Sequence, residues 1–206
     1  NSTVGTLSTT DPDAGNTFTY TLIAGAGDTD NASFNISGSS LRITASPNYE
    51  AKSSYSVRVR TTDQGSLTYE EAFTITINNV NETPTDIALS PSSINENVAA
   101  NSTVGTLSTT DPDAGNTFVY ALTNGTGSTD NNSFSISGSS LRTAEPFNYE
   151  VKSNYTIRVQ STDQGGLFTQ KVFAIRVTDV DETPVFYGPS EPTNGNIVLR
   201  WSSTTN

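Results

Sequence analysis

The sequence predicts an all-β protein built from tandem β-sandwiches. Three observations carry that prediction. Apolar residues alternate with polar ones at a period of two, clusters of turn residues cut the alternation into short runs, and the whole pattern recurs after 100 residues.

The recurrence sets the domain plan. NSTVGTLSTTDPDAGNTF stands at 1–18 and again, unchanged, at 101–118, and 53 of the 84 positions aligned between 1–84 and 101–184 are identical. A period of 100 residues is too long for a solenoid unit and matches one sandwich domain. The repeat is cut out of register with its domains. Pro84 is followed by TDIALSPSSINENVAA at 85–100, in which Ile87 and Leu89 alternate as in a strand, and 1–84 contains no counterpart. The expected organisation is a repeat lacking its first strand at 1–84, a complete repeat at 85–184, and a tail or the start of a further β-domain at 185–206. The chain reads as a piece of something longer, with no signal peptide of its own.

The strands follow in order. Phe18, Tyr20 and Leu22 alternate with polar residues, as do Phe34 and Ile36, then Tyr55, Val57 and Val59, then Phe73, Ile75 and Ile77. Such strands bury one face and wet the other. DPDAGN, GAGDTDN, SGSS and TDQG supply the turns, since Asp and Asn bond their own backbone and Gly accepts positive φ. No segment shows a 3.6-residue period. Seven short strands per complete repeat predict an immunoglobulin-like Greek-key sandwich, without the tryptophan and disulfide of true immunoglobulin domains. In the tail, Ile197, Leu199 and Trp201 alternate like an early strand of a further β-domain, or of a segment docking on an open sheet edge.

Composition narrows the function. Ten Lys+Arg against 21 Asp+Glu give a net charge of −11, which argues against phosphate-backbone binding. No apolar run approaches the roughly 20 residues of a membrane span. With no Cys and no His, thiol nucleophiles, imidazole bases, disulfides and thiolate zinc sites are all removed. Oxygen ligands remain, and these select hard cations such as calcium or magnesium. The acids concentrate between strands: Asp111, Asp113 and Asn116 in DPDAGN, Asn148 and Glu150 in NYE, Asp163 in TDQG, Asn79, Asn81 and Glu82 in NVNETP, and Asp179, Asp181 and Glu182 in DVDETP. Oxygen-bearing side chains at alternate positions of a short turn suit calcium, which takes roughly 6–8 oxygens.

The order of these motifs resembles the cadherin repeat in its shorter bacterial form. INENV (94–98), DPDAGN (111–116), FNYE (147–150), STDQG (161–165) and DVDETP (179–184) follow the family's sequence of an early xEx, DxDxGxN, DRE or DYE, xDx and a junction close to DxNDNxP. The resemblance covers nearly all of 1–184. It implies calcium (Ca2+) at the junctions between consecutive repeats. Carried over residue by residue, the first junction would use Asn48 and Glu50, Asn79, Asn81 and Glu82, and Asp111, Asp113, Asn116 and Asp163. The next would use Glu96, Asn148, Glu150, Asp179, Asp181 and Glu182. Asp11, Asp13, Asn16 and Asp63 would face a preceding repeat. Asn48 and Asn148 stand where the family has an acid, and Asn79 where it has an Asp. The first junction therefore keeps five carboxylates, which suits one or two ions.

The resemblance implies an extracellular role, on a cell surface or secreted, in adhesion and as a calcium-rigidified extension. The partners would be neighbouring repeats in a longer chain, with homophilic contact or cell-surface polysaccharide as further candidates. Carboxylates a few ångström apart repel by roughly 4 kcal/mol per pair at an effective dielectric near 20, which shared coordination would convert into attraction. An enzyme is not expected. The acids recur in both repeats at domain ends, and a catalytic pair need not be duplicated. The alternatives are a polysaccharide-binding module, which would need aromatics on an exposed face, and a metal-free spacer or filament subunit. Tyr49 and Tyr149 read as packing residues, and the Asn-x-Ser/Thr sequons, as at Asn31 and Asn124, are assigned no role.

Overall fold

A computed structural model describes residues 2–184. The expectations for 185–206, Trp201 included, lie outside the described residues. The chain divides into two compact units, Asn1–Asn81 and from Glu82 onward.

The first unit holds six strands: β1 (Ser2–Thr6), β2 (Phe18–Leu22), β3 (Phe34–Ser37), β4 (Ser40–Ile43), β5 (Ser54–Asp63) and β6 (Thr68–Thr76). They form two antiparallel sheets, ordered β1-β4-β3 and β2-β5-β6. Their facing sides bury Phe34, Leu41, Ile43, Val57 and Val59. Phe34, Val57 and Val59 are members of the predicted alternation, so the period of two reports the core face there, while Leu41 and Ile43 of β4 belong to a strand the alternation did not mark.

The second unit adds strands at its start: β7 (Asp86–Ser90) and β8 (Ser93–Asn95), then β9 (Thr103–Thr110), β10 (Phe118–Leu122), β11 (Phe134–Ser137), β12 (Ser140–Thr143), β13 (Asn154–Asp163) and β14 (Phe168–Thr178). One sheet is ordered β11-β12-β9-β7 and the other β10-β13-β14-β8. The all-β Greek-key prediction holds, with one refinement. The first of the seven strands is split between the sheets. Its first half, β7, pairs antiparallel with β9, and its second half, β8, pairs parallel with β14. Pro91 lies at the break, where it has no N–H to continue the ladder. Ile87, Ile94, Val104, Leu107, Phe134, Leu141, Phe147, Tyr155, Ile157, Val159, Ile175 and Val177 make the core. Phe134, Phe147 and Tyr155 cluster with centroids 4.5–5.7 Å apart, Phe134 meeting Tyr155 edge to face, within the range of favourable aromatic pairs. In the first unit Pro47 takes the place of Phe147 and is exposed.

A polar brace repeats in both units. Asp130 Oδ2 accepts the Thr156 N–H at 2.8 Å, and its other oxygen pairs with the Lys152 ammonium. Asn131 Oδ1 accepts the Arg158 N–H at 3.0 Å while Asn131 Nδ2 donates to the Thr123 carbonyl at 2.9 Å. Asp30, Lys52, Ser56, Asn31, Arg58 and Ile23 make the same set. These bonds tie a loop to the edge of β13 or β5. That is where the TD-N of the predicted turns is used.

Candidate metal centre

Three acids from distant parts of the sequence meet at one end of the second unit. Parallel pairing ends with Thr178 beside Asn95, so the next residues, Asp179 and Glu96, leave their strands side by side. The NYE turn brings Glu150 to them. Glu96, Glu150 and Asp179 each offer a carboxylate oxygen, and these oxygens all lie within 4.8 Å of one another. That is a spacing one hard cation can bridge, since two ligands at 2.3–2.6 Å from an ion can lie up to roughly 5 Å apart.

Glu96 anchors the group. It is only 2% exposed, and both of its oxygens accept backbone N–H bonds, from Val180 and from Tyr149, each at 2.8 Å. These two bonds hold its carboxyl below the usual glutamate range against the cost of desolvation. The neighbours are pushed the other way. Desolvation and then the charges of Glu96, Asp181 and Glu182 raise Asp179. At Glu150 a bond from its own backbone amide acts downward, but desolvation and the charges of Glu96, Glu182 and Asp179 outweigh it. Among the described residues no Lys or Arg pairs with Glu96, Glu150 or Asp179. The cluster therefore carries concentrated negative charge that no cation among the described residues pairs with.

The remaining predicted residues of this set are placed as follows. Glu182 Oε1 accepts a bond from Asn97 Nδ2 at 2.9 Å, and Asp181 is exposed. Asn148 turns its side chain into its own loop, where Oδ1 accepts the Val151 N–H at 2.8 Å. The sequence held a signal for that, because an Asn opening a tight turn bonds the backbone ahead of it.

A second acidic group lies at the other end of the same unit, roughly 33 Å away along the ten-residue β13. Asp113 is 7% exposed; its N–H donates to Asp111 Oδ1 at 2.9 Å, and its Oδ2 accepts the Glu82 N–H at 2.8 Å. Phe118 pairs with Asp163, which brings the DPDAGN and TDQG loops together. Asp163 is 5% exposed and accepts the Leu167 N–H at 2.9 Å. Asp111 Oδ2 and Asn116 Nδ2 are buried with no hydrogen-bond partner. A buried carboxylate oxygen without a donor is costly unless a cation meets it, so the donor set fits a hard metal ion.

The first unit repeats the loop chemistry. The Asp13 N–H donates to Asp11 Oδ1, the Leu67 N–H to Asp63 Oδ1, and Gln64 Nε2 to Asn16 Oδ1, each at 2.8 Å. Asn48 Oδ1 accepts the Ala51 N–H at 2.8 Å, and Asn48, Glu50 and Asn79 are exposed, with Asn81 half-buried. Among the described residues 2–84 nothing corresponds to Glu96.

Comparison with known proteins bears on this arrangement. Residues 90–178 match the cadherin domain family model. A stretch of 120 residues, 55% of this chain, is 33% identical to the protein dachsous of Drosophila melanogaster, of which it covers 3%. The structure of the protocadherin gamma B2 extracellular cadherin domains 3–6 superposes over 84% of this chain and 43% of that one, with a TM-score of 0.60 and 20% identity. Human protocadherin-24 EC1-2 does so over 80% of this chain and 83% of that one, with a TM-score of 0.59 and 18% identity. At these identities the structural likeness speaks for the fold. Together the matches support the cadherin superfamily, and the fold is a tandem of cadherin-like sandwiches. The chain spans a small part of dachsous and less than half of the protocadherin gamma B2 structure. No helix among the described residues is long and apolar enough to cross a membrane.

Proposed function

We propose that this chain is a calcium-binding pair of adhesion-type repeats from the extracellular part of a longer surface or secreted protein. The observation that supports it most is the convergence of Glu96, Glu150 and Asp179 without a balancing Lys or Arg among the described residues. These three residues would hold one ion, with Asp181 and Glu182 adding negative charge beside it. Glu82, Asp111, Asp113, Asn116 and Asp163 are the ligands proposed for the other end of the unit. By the repeat, Asn48, Glu50, Asn79 and Asn81 are proposed as the first repeat's contribution to a junction. The ion supplies two positive charges and a demand for oxygen ligands; the protein supplies a pre-formed carboxylate group whose mutual repulsion the ion removes. Coordination that draws on strand ends and linker residues would restrict the linker, which makes stiffness calcium-dependent and suits a module that extends and adheres. Neighbouring repeats, and copies of the same protein on another surface, are the proposed partners.

Calorimetric titration with calcium tests this reading. The unaltered chain should give saturable heat, and the double variant Glu150→Gln with Asp179→Asn should lose one class of it. Small-angle scattering in calcium and in chelator reports whether the particle stiffens. An unaltered chain that gives no saturable heat would sink the proposal.

A further inference from the structure

The two repeats agree on the buried face of one sheet and differ on its outward face. Inside, Val57 and Val59 correspond to Ile157 and Val159. Outside, the character changes. In the first unit Thr19, Thr62 and Thr68 form one cross-strand row, and in the next row Arg60 pairs with Glu70 at 2.6 Å. In the second unit the corresponding rows are Val119, Thr162 and Phe168, then Ala121, Gln160 and Gln170. Val172, opposite Arg158, stands where the first unit has Ala72. Val119 is 72% exposed, Phe168 51% and Val172 41%. The fold does not need these apolar side chains, because the first unit holds the same three strands together with threonines in the first row.

Three features of the face say what covers it. Among the described residues no Asp or Glu stands on the outward side of β8, β10, β13 or β14, so two copies of a chain of net charge −11 can meet there without opposing carboxylates. The middle row is neutral. Gln170 Nε2 donates to Gln160 Oε1 at 2.7 Å, and an amide both donates and accepts, so it can meet another amide, whereas an arginine or a glutamate meets its own kind at a cost. The third feature is symmetry. Phe168 and Val172 lie on β14 either side of Gln170, on the same face. A two-fold axis across the strands at that row sets Phe168 of each copy against Val172 of the other, and Arg158 beside the other copy's Phe168 ring, a favourable neighbour for a cation.

We propose that this outward face of the second unit is where two copies of the chain pair, by a contact of the face with itself centred on Gln160 and Gln170. The proposal rests on the adhesion-type reading above and names the surface that would serve it. Strands about 4.8 Å apart, rising about 3.3 Å per residue, give a four-stranded face, eleven residues long at β14, an area on the order of 500 Å². A standard interface takes roughly 800 Å² from each partner, so the pairing is weak and transient. Weak contacts between single modules become firm when linked modules engage together.

Sedimentation equilibrium of the whole 206-residue chain in saturating calcium tests this, at concentrations up to about 1 mM. The weight-average mass should rise with concentration toward that of a dimer. The double variant Val119→Thr with Phe168→Thr should weaken the association about tenfold or more. Both replacements are the first unit's own residues, so the far-ultraviolet circular dichroism should stay unchanged. Photo-cross-linking from Phe168→p-benzoylphenylalanine, in a mixture of nitrogen-15-labelled and unlabelled chains, reads the location. The cross-linked peptides should join two copies and fall within residues 118–122 and 154–178. A monomer at every concentration overturns the proposal, as does a dimer indifferent to the double variant or cross-linked elsewhere. A monomer that still gives saturable calcium heat would leave the calcium-binding reading standing and remove this surface alone.

Discussion

Glu96 and Val180, 84 residues apart, are joined by a 2.8 Å hydrogen bond from the Val180 N–H to Glu96 Oε1, and Oε2 of the same carboxylate accepts the Tyr149 N–H. One buried side chain thus ties the start of the second repeat to its NYE turn and to its exit. Glu96→Gln replaces one acceptor with an amide NH2 and leaves a backbone N–H without a partner. The second unit should melt several degrees lower in chelator, as read by circular dichroism. The shift should be larger than that of Asp181→Asn, whose side chain is exposed.

Glu150→Gln should change sign with calcium. In chelator the variant removes a charge that Glu96, Glu182 and Asp179 repel, so the second unit should melt a few degrees higher than the unaltered one. In saturating calcium the same variant has lost a ligand and should melt lower. Differential scanning calorimetry in both buffers checks the crossing; parallel shifts in the two would count against a shared ion.

Acid should erase the contribution of Asp130. Desolvation acts upward on its carboxyl, but the Lys152 ammonium and the Thr156 N–H outweigh it and hold the group below its ordinary value of 3.8. A depressed carboxylate contributes fully above the unfolded value, and the contribution is lost as pH falls through the folded one. Asp130→Asn should therefore cost about 1 kcal/mol near neutrality, with the pair partly screened because the Lys152 side chain is 41% exposed. Urea titrations from pH 7 to pH 3 should show that cost shrinking below about pH 4.

Gly105→Ala and Gly5→Ala make the same substitution at equivalent positions, with different outcomes expected. At Gly105 the new Cβ meets the Pro91 carbonyl oxygen, and displacement of that backbone should cost about 1–3 kcal/mol. At Gly5 none of the described residues lies within 4 Å of the new Cβ, so the cost should stay within about 0.5 kcal/mol. Denaturant midpoints of the two single variants decide it.

The two units should melt separately, the first at lower temperature. Among the described residues its core buries five apolar side chains against twelve in the second. Phe147→Ala should remove about 3–5 kcal/mol from the second unit and bring its transition toward that of the first. Hydrogen exchange of β5 against β13 amides reads the two transitions individually.

Much of the fold was legible in the sequence. The alternation of Tyr55, Val57 and Val59 marks a core face because side chains on a strand point to opposite sides at a fixed period of two. The DPDAGN turn was legible because Asp bonds its own backbone ahead, and the Asp113 N–H does reach Asp111 Oδ1. Of the candidate ligands, Glu96, Glu150 and Asp179 do come together. The engagement of Asn148 in its own turn and the double backbone bond of Glu96 were not read. Motif order carries no information on which lone pairs are already occupied.

Local preferences are written in the chain: period, turns, repeat length, and the types of residue placed between strands. These depend on φ/ψ sterics and side-chain spacing, which neighbours along the chain control. Which of those preferences is realised where depends on contacts between distant segments. TVGTLSTT is strand to its end at 103–110 and stops short at 3–10, although its residues are identical. A strand edge is completed by hydrogen bonds from another segment, and β7 supplies them to only one of the two copies.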